Sequence, residues 1–345
     1  MTGAIAKTLH VLRKNWFIAA ILASFAFGLY LPRGEGLLNP RGTAKPLLIF
    51  ILLFLSGISI PTERIIRDLR DFRLHLFIQG FIFLVYPLLT WLLLLPLGTF
   101  INPSIQIGIL ALSCLPSTIS SCIFFSQVSG GNTTAAVFNA AVSNISAVLL
   151  TPLLFALLIP AGETASAAVS PAEVYASLVK TIILPILVGQ GARYPLRKNM
   201  DRFKGLIGNL SNVIIFLLVY FAVARSSKAI LESASLQLFA GPLVFLSVLN
   251  ALVLVLIHSL GRTAGLDRRN RITALFVGSH KTLALGLPLT AAVFGGDPEH
   301  YAFVILPLIF YYHIQLISSG VLRVHVFQKH TFADSDFTPP ESGEQ

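Results

Sequence analysis

The stretch VGSHKTLALGLPLTAAVFGGD, residues 277–297, is long and apolar enough to cross a bilayer as a helix, yet it carries His280 and Lys281 side by side. A charge at the centre of a membrane helix costs roughly 2.5–3.5 kcal/mol on insertion scales, so it is expected to face a cavity or a partner and to have a function. Snorkelling to the interface needs a helix end, and Lys281 is central. The stretch is also interrupted. Gly278, Gly286 and Pro288 weaken or break a helix where they stand.

A second stretch has the same design. LSCLPSTISSCIFFSQVSGGN, residues 112–132, also ends in Gly-Gly followed by a short polar residue, and an offset of 165 places Pro116 opposite Lys281. Polar residues gather at both interruptions: Ser113, Ser117, Thr118, Ser120 and Ser121 at one, Ser279, His280, Lys281 and Thr282 at the other. Prolines that merely kink membrane helices do not account for that clustering.

Working outward, apolar runs recur near 15–31, 45–61, 74–98, 104–128, 133–159, 171–191, 206–224, 237–261, 272–294 and 301–322. The chain has 345 residues, of which 55% are hydrophobic and only 12% charged, about half the charge of a soluble domain. The fold class expected is therefore an all-α polytopic membrane protein with ten transmembrane helices. With five spans between the two similar stretches, the second is inverted relative to the first. Weak inverted repeats with interrupted helices are a mark of secondary transporters, whose sites lie near the bilayer midplane.

The net charge of +10 sits in loops. Counting loops alternately, 18 of the 25 Lys and Arg residues fall on the side of the N-terminus, 5 fall opposite, and Lys180 and Lys281 lie inside spans. That bias puts both termini in the cytoplasm of a multi-pass cell-membrane protein. It explains the basic residues without a nucleic-acid partner. The basic, apolar start is read as a retained first helix rather than a cleaved leader. Residues 1–325 form one transmembrane domain, with repeats over about 10–160 and 170–325, and the polar tail 326–345 is expected to be disordered. Cys114 and Cys122, about 12 Å apart along one helix, cannot pair. No phosphate loop, metal-ligand cluster or hydrolase elbow occurs, so neither a cofactor nor an enzyme activity is expected. Monomer and homodimer both stay open.

At LPSTISSCIFFSQVSGGNTTAAVFNAAVSN, TPLL (151–154) and GSHKTLALGLP the chain resembles the bile acid:sodium symporter superfamily, in the branch typified by solute carrier family 10 member 7. The resemblance covers nearly all of residues 10–325. It implies two inverted five-helix repeats, unwound spans four and nine that cross, and a panel domain moving against a core domain. In the sodium-coupled members a Ser-Asn pair in span four, hydroxyls in span five and a glutamate in span nine hold the ions. Here Ser121 matches the serine, Cys122 replaces the asparagine, Ala136 and Ala140 stand at hydroxyl positions, and Ser279 stands near the glutamate. The carboxylate is gone and an ammonium has arrived.

Three roles follow for Lys281: a fixed surrogate for sodium, a proton carrier, since desolvation favours the neutral amine, or the counter-charge of an anionic solute beside half-helix N-termini. The substrate and ion site is drawn from Lys281, His280, Ser279 and Thr282, from Pro116, Ser117, Thr118 and Ser121, and from Asn139, Ser143 and Asn144 in span five. Ser117, Ser121 and the carbonyls freed by Pro116 are the expected ligands of the ammonium. Gln79, His313 and Gln315 are expected to make interhelical hydrogen bonds. The function expected is secondary transport of a small organic anion, coupled to protons or independent of sodium. The alternatives are a sodium-coupled symporter with a rearranged site and, since the branch is associated with calcium homeostasis, a membrane regulator that moves no solute.

Overall fold

The computed structural model describes residues 16–39, 43–59, 71–159, 171–196, 200–225, 227–232, 236–294 and 298–323. The tail 326–345, Gly295, Gly296 and Asp297 of the second stretch, and the side chain of Lys180 lie outside the described residues. Among these residues there are helices and no strands. In chain order they are α1 (Trp16–Tyr30), α2 (Arg33–Leu38), α3 (Ala44–Ser59), α4 (Phe72–Gly80), a π-helical turn (Phe81–Val85), α5 (Tyr86–Leu97), a 3₁₀ turn (Gly98–Phe100), α6 (Pro103–Ser113), α7 (Ser120–Val128), α8 (Thr133–Leu158), α9 (Pro171–Leu196), α10 (Met200–Arg225), α11 (Ser227–Glu232), α12 (Leu236–Thr263), α13 (Arg268–Ser279), α14 (Leu283–Phe294) and α15 (Pro298–Leu322).

Helix is the expected outcome for these sequences, because a chain in hydrocarbon must satisfy its own backbone groups. Six helical stretches among the described residues are long and apolar enough to cross a membrane, and α3 and α6 are shorter apolar helices. The chain is a multi-pass membrane protein. Starts are marked by polar caps: Asn102 accepts from Ser104 N before α6, with Pro103 at the first position, and Asn132 accepts from Ala135 N before α8. After α7, Gly130 takes a left-handed conformation (φ +79°) that a side chain would resist.

The helices pack as two groups. In one, α9 lies along α3, and α10 lies along α1 and α3. In the other, α4 to α8 pack with α12 to α15; α15 lies against α6, and α13 against α7, α8 and α12. In the most apolar 18 residues of Arg268–Phe294, which comprises α13 and α14, 94% are buried, against 39% in the corresponding sections of the spans beginning at Phe72, Gly205 and Phe239. It is therefore wrapped by protein, and a lysine within it does not meet lipid tails.

Close approach of α3 and α9 depends on two glycines. A Cβ on Gly189 would fall 2.2 Å from Phe54 O, and one on Gly57 would fall 2.4 Å from Ile186 O. Both obstacles are backbone and cannot swing aside. Gly189→Ala is expected to destabilise the protein by about 1–3 kcal/mol, the usual cost of overpacking. An unchanged unfolding midpoint in detergent would show that the two helices are not locked at this crossing.

Candidate functional site

Both interruptions predicted from sequence are open backbone. The first separates α6 from α7 over residues 114–119, and the second separates α13 from α14 over residues 280–282. Buried carbonyls without partners are costly, so each needs an account. Pro116 has no N–H, and beyond Leu115 N→Leu112 O (3.1 Å) the helical ladder stops. Every carbonyl from Ser113 to Ser117 then finds a donor from elsewhere. Cys114 O accepts from Thr151 Oγ1 (2.8 Å), Pro116 O from Thr282 N (3.1 Å) and Ser117 O from Asn144 Nδ2 (2.9 Å). Ser113 O and Leu115 O both accept from Lys281.

The Lys281 ammonium makes three hydrogen bonds: to Ser113 O (2.7 Å), Leu115 O (2.8 Å) and Ile82 O (3.2 Å). Ile82 O is free for a traceable reason. In the π-helical turn Tyr86 N–H reaches back five residues to Phe81 O, so Ile82 O loses its usual partner. Pro87, the next residue, cannot donate to the ladder either. The Tyr86 ring closes the site, with its centroid 4.2 Å from Nζ, where a cation is attracted to the π face. Lys281 is 2% exposed. Three protons on three carbonyls, over a ring, match a charged ammonium and leave it no proton for an incoming anion.

The second interruption is gripped by α15. Lys281 N donates to Gln315 Oε1 (2.7 Å), and Gln315 Nε2 donates to Lys281 O (3.1 Å). Tyr311 hydroxyl lies 2.8 Å from Ser279 O and 3.1 Å from Asn250 Oδ1. The first interruption is gripped likewise by α8, with Ser117 N donating to Ser143 Oγ (3.3 Å) and Asn144 holding Ser117 O.

His280 takes a different route from its neighbour. Nδ1 meets Ser121 Oγ (2.9 Å) and Thr118 Oγ1 (3.4 Å), and Nε2 meets Ser319 Oγ (2.8 Å). The edges of Phe125 and Phe276 flank the ring. The imidazole thus joins α7 and α15 through hydroxyls.

Most of the residues predicted from sequence are brought together, with two corrections. Ser117 and Ser121 are not ligands of the ammonium, because backbone carbonyls already take all three protons. Ser121 bonds Thr118 and His280, and Ser117 is held by α8 through its backbone. Asn139 belongs to another cluster: its amide nitrogen meets His75 Nδ1 (2.9 Å), and Gln79 Nε2 donates to Asn139 O (3.0 Å). Ile82, Tyr86, Tyr311 and Asn250 were not singled out in the sequence, and Tyr86-Pro87 was the one signal pointing to the π-helical turn.

The family model for SBF-like CPA transporters matches residues 15–328. The chain belongs to that family. It is 31% identical over 326 residues to sodium/bile acid cotransporter 7 of Danio rerio, covering 93% of this chain and 94% of the relative. It is 30% identical over 321 residues to the Xenopus tropicalis protein of that name, covering 91% and 92%. It is also 31% identical over 308 residues to an uncharacterized protein of Pseudomonas aeruginosa, covering 89% and 91%.

In this family member the ammonium should be worth more to the fold than its own burial costs. Lys281→Met keeps the unbranched apolar stem up to the ε position but leaves three buried carbonyls unpaired, each costing about 1–3 kcal/mol. The expected loss of stability is therefore about 3 kcal/mol or more. A melting temperature equal to the parent's would mean the carbonyls find other partners.

Proposed function

We propose that this chain is a secondary active transporter of a small organic anion, working by alternating access, with the Lys281 ammonium standing permanently in place of a coupling cation. The observation that carries the reading is the ammonium itself, bound by three carbonyls where two interrupted helices cross. A fixed charge gives the crossover what a bound cation would give, without an ion that comes and goes. Of the three roles considered, the surrogate fits best. A neutral amine, with two protons, would leave one of the three carbonyls unpaired, and an anion has no proton left to bind.

The architecture proposed is ten spans in two inverted five-helix repeats, with both termini cytoplasmic. Packing relations that recur in pairs support it. Exchanging spans one and two for six and seven turns the contact of α3 with α9 into that of α10 with α1. The α8 grip on Ser117 and the α15 grip on Lys281 form another such pair. In this reading α1, α3, α9 and α10 are the panel and the other group is the core. Sodium coupling is the second reading, favoured by the name of the cotransporter relatives.

The test compares the small organic anions retained by cells expressing the parent chain, Lys281→Met and an empty vector, at matched protein levels. One class of anion should redistribute with the parent chain. The effect should fall at least tenfold in Lys281→Met and persist when choline replaces sodium. No difference between parent and vector would contradict transport, and loss of the effect in choline would favour sodium coupling.

A further inference from the structure

Lys45 lies in the first turn of α3, in the first helix group, and its ammonium sits 4.5 Å from the centroid of the Tyr301 ring on α15, in the second group. We propose that Lys45 and Tyr301 form a latch that holds the two groups together at the non-cytoplasmic end of the molecule. The inference rests on the alternating-access reading above.

Tyr301 is fixed to its own group. It is 2% exposed, and its hydroxyl donates to Leu287 O of α14 (3.3 Å). Part of the contact between the groups runs through the same region: α14 packs on α3, α9 and α10, and α15 packs on α10, while α8 packs on α9. The half-helices beyond the interruptions, α7 and α13, pack instead within the second group, on α4, α8, α12, α15 and each other. The groups therefore meet along α8 and α9 and around α14 and α15, and Lys45 reaches across at the second of these seams.

The chemistry suits a contact that opens and closes. A carboxylate partner buried at this seam would be hard to pull away, because separation strands a charge. An aromatic face attracts the ammonium without neutralising it. The charged groups that act on Lys45 pull in opposite directions, with Arg225 at the end of α10 repelling it and Glu35 in α2 attracting it. The hold is thus strong enough to position the seam and weak enough to release.

The test reads opening rather than flux. Ile49, one turn further along α3 and buried, is changed to cysteine, with the buried Cys114 and Cys122 left in place as the background. A membrane-impermeant maleimide is applied from the outer face of spheroplasts. Labelling should be slow in this parent, rise at least tenfold in Lys45→Leu and in Tyr301→Leu, and stay within twofold in Lys45→Arg and Tyr301→Phe. Where leucine lowers the melting temperature, Lys45→Met replaces it. Unchanged labelling in both removal variants overturns the latch, as does an equal rise in the conservative ones, which would mark a seam intolerant of any change. Labelling that increases only from the cytoplasmic face overturns its placement. Any of these leaves solute redistribution in the same cells intact, so the latch can fail while the transport reading stands.

Discussion

Three backbone carbonyls converge on one ammonium, and the arrangement of the two interrupted helical stretches depends on that convergence. Interrupting a helix inside a membrane protein creates acceptors that lipid cannot satisfy. Two come from Ser113 at the end of α6, where the helix dipole also concentrates negative charge, and from Leu115 just beyond it. The third comes from a π-helical turn that frees Ile82 O. A single Lys281 side chain serves all three, tying two segments to the second interruption. Gln315 then fixes the backbone of Lys281, so the cation cannot drift from its carbonyls.

Much of this was legible in the sequence because it follows from rules that act locally. Pro116 removes a donor wherever it sits in a helix. Repetition of the motif at 277–297 announced the second interruption, and a lysine without a nearby acid announced a buried cation. What stayed hidden depends on three-dimensional convergence. Nothing in SSC distinguishes a serine that binds an ammonium from one that binds an imidazole, so Ser121 was placed on the wrong partner. Gln315 looks like any glutamine on an apolar helix, and only its position opposite residue 281 reveals its role. Asn139 and Asn144 are close in sequence, yet they serve different clusters because they leave α8 in different directions. Carbonyl acceptors carry no side-chain signature of their own, which is why Ile82 was not singled out in advance.

Family membership and local chemistry pull against each other on one point. Relatives bear the name sodium/bile acid cotransporter 7, while this chain places Ser279, His280 and Lys281 at its second interruption. Sodium is held by hard oxygen ligands, preferably with a carboxylate to balance its charge. Here the carbonyl oxygens at the crossing already carry a covalently attached cation. On the function proposed above, the coupling ion has been made a permanent part of the polypeptide.

The most direct measurement of that claim is the melting temperature of the purified chain as sodium replaces choline at constant ionic strength. A ligand that binds the folded state alone stabilises it by mass action, by about 2.7 kcal/mol at a hundred times its dissociation constant. The surrogate account predicts no saturable rise, because the Lys281 ammonium already holds the carbonyls. Saturable stabilisation by sodium would contradict it and would return this chain to the ion-coupled mechanism.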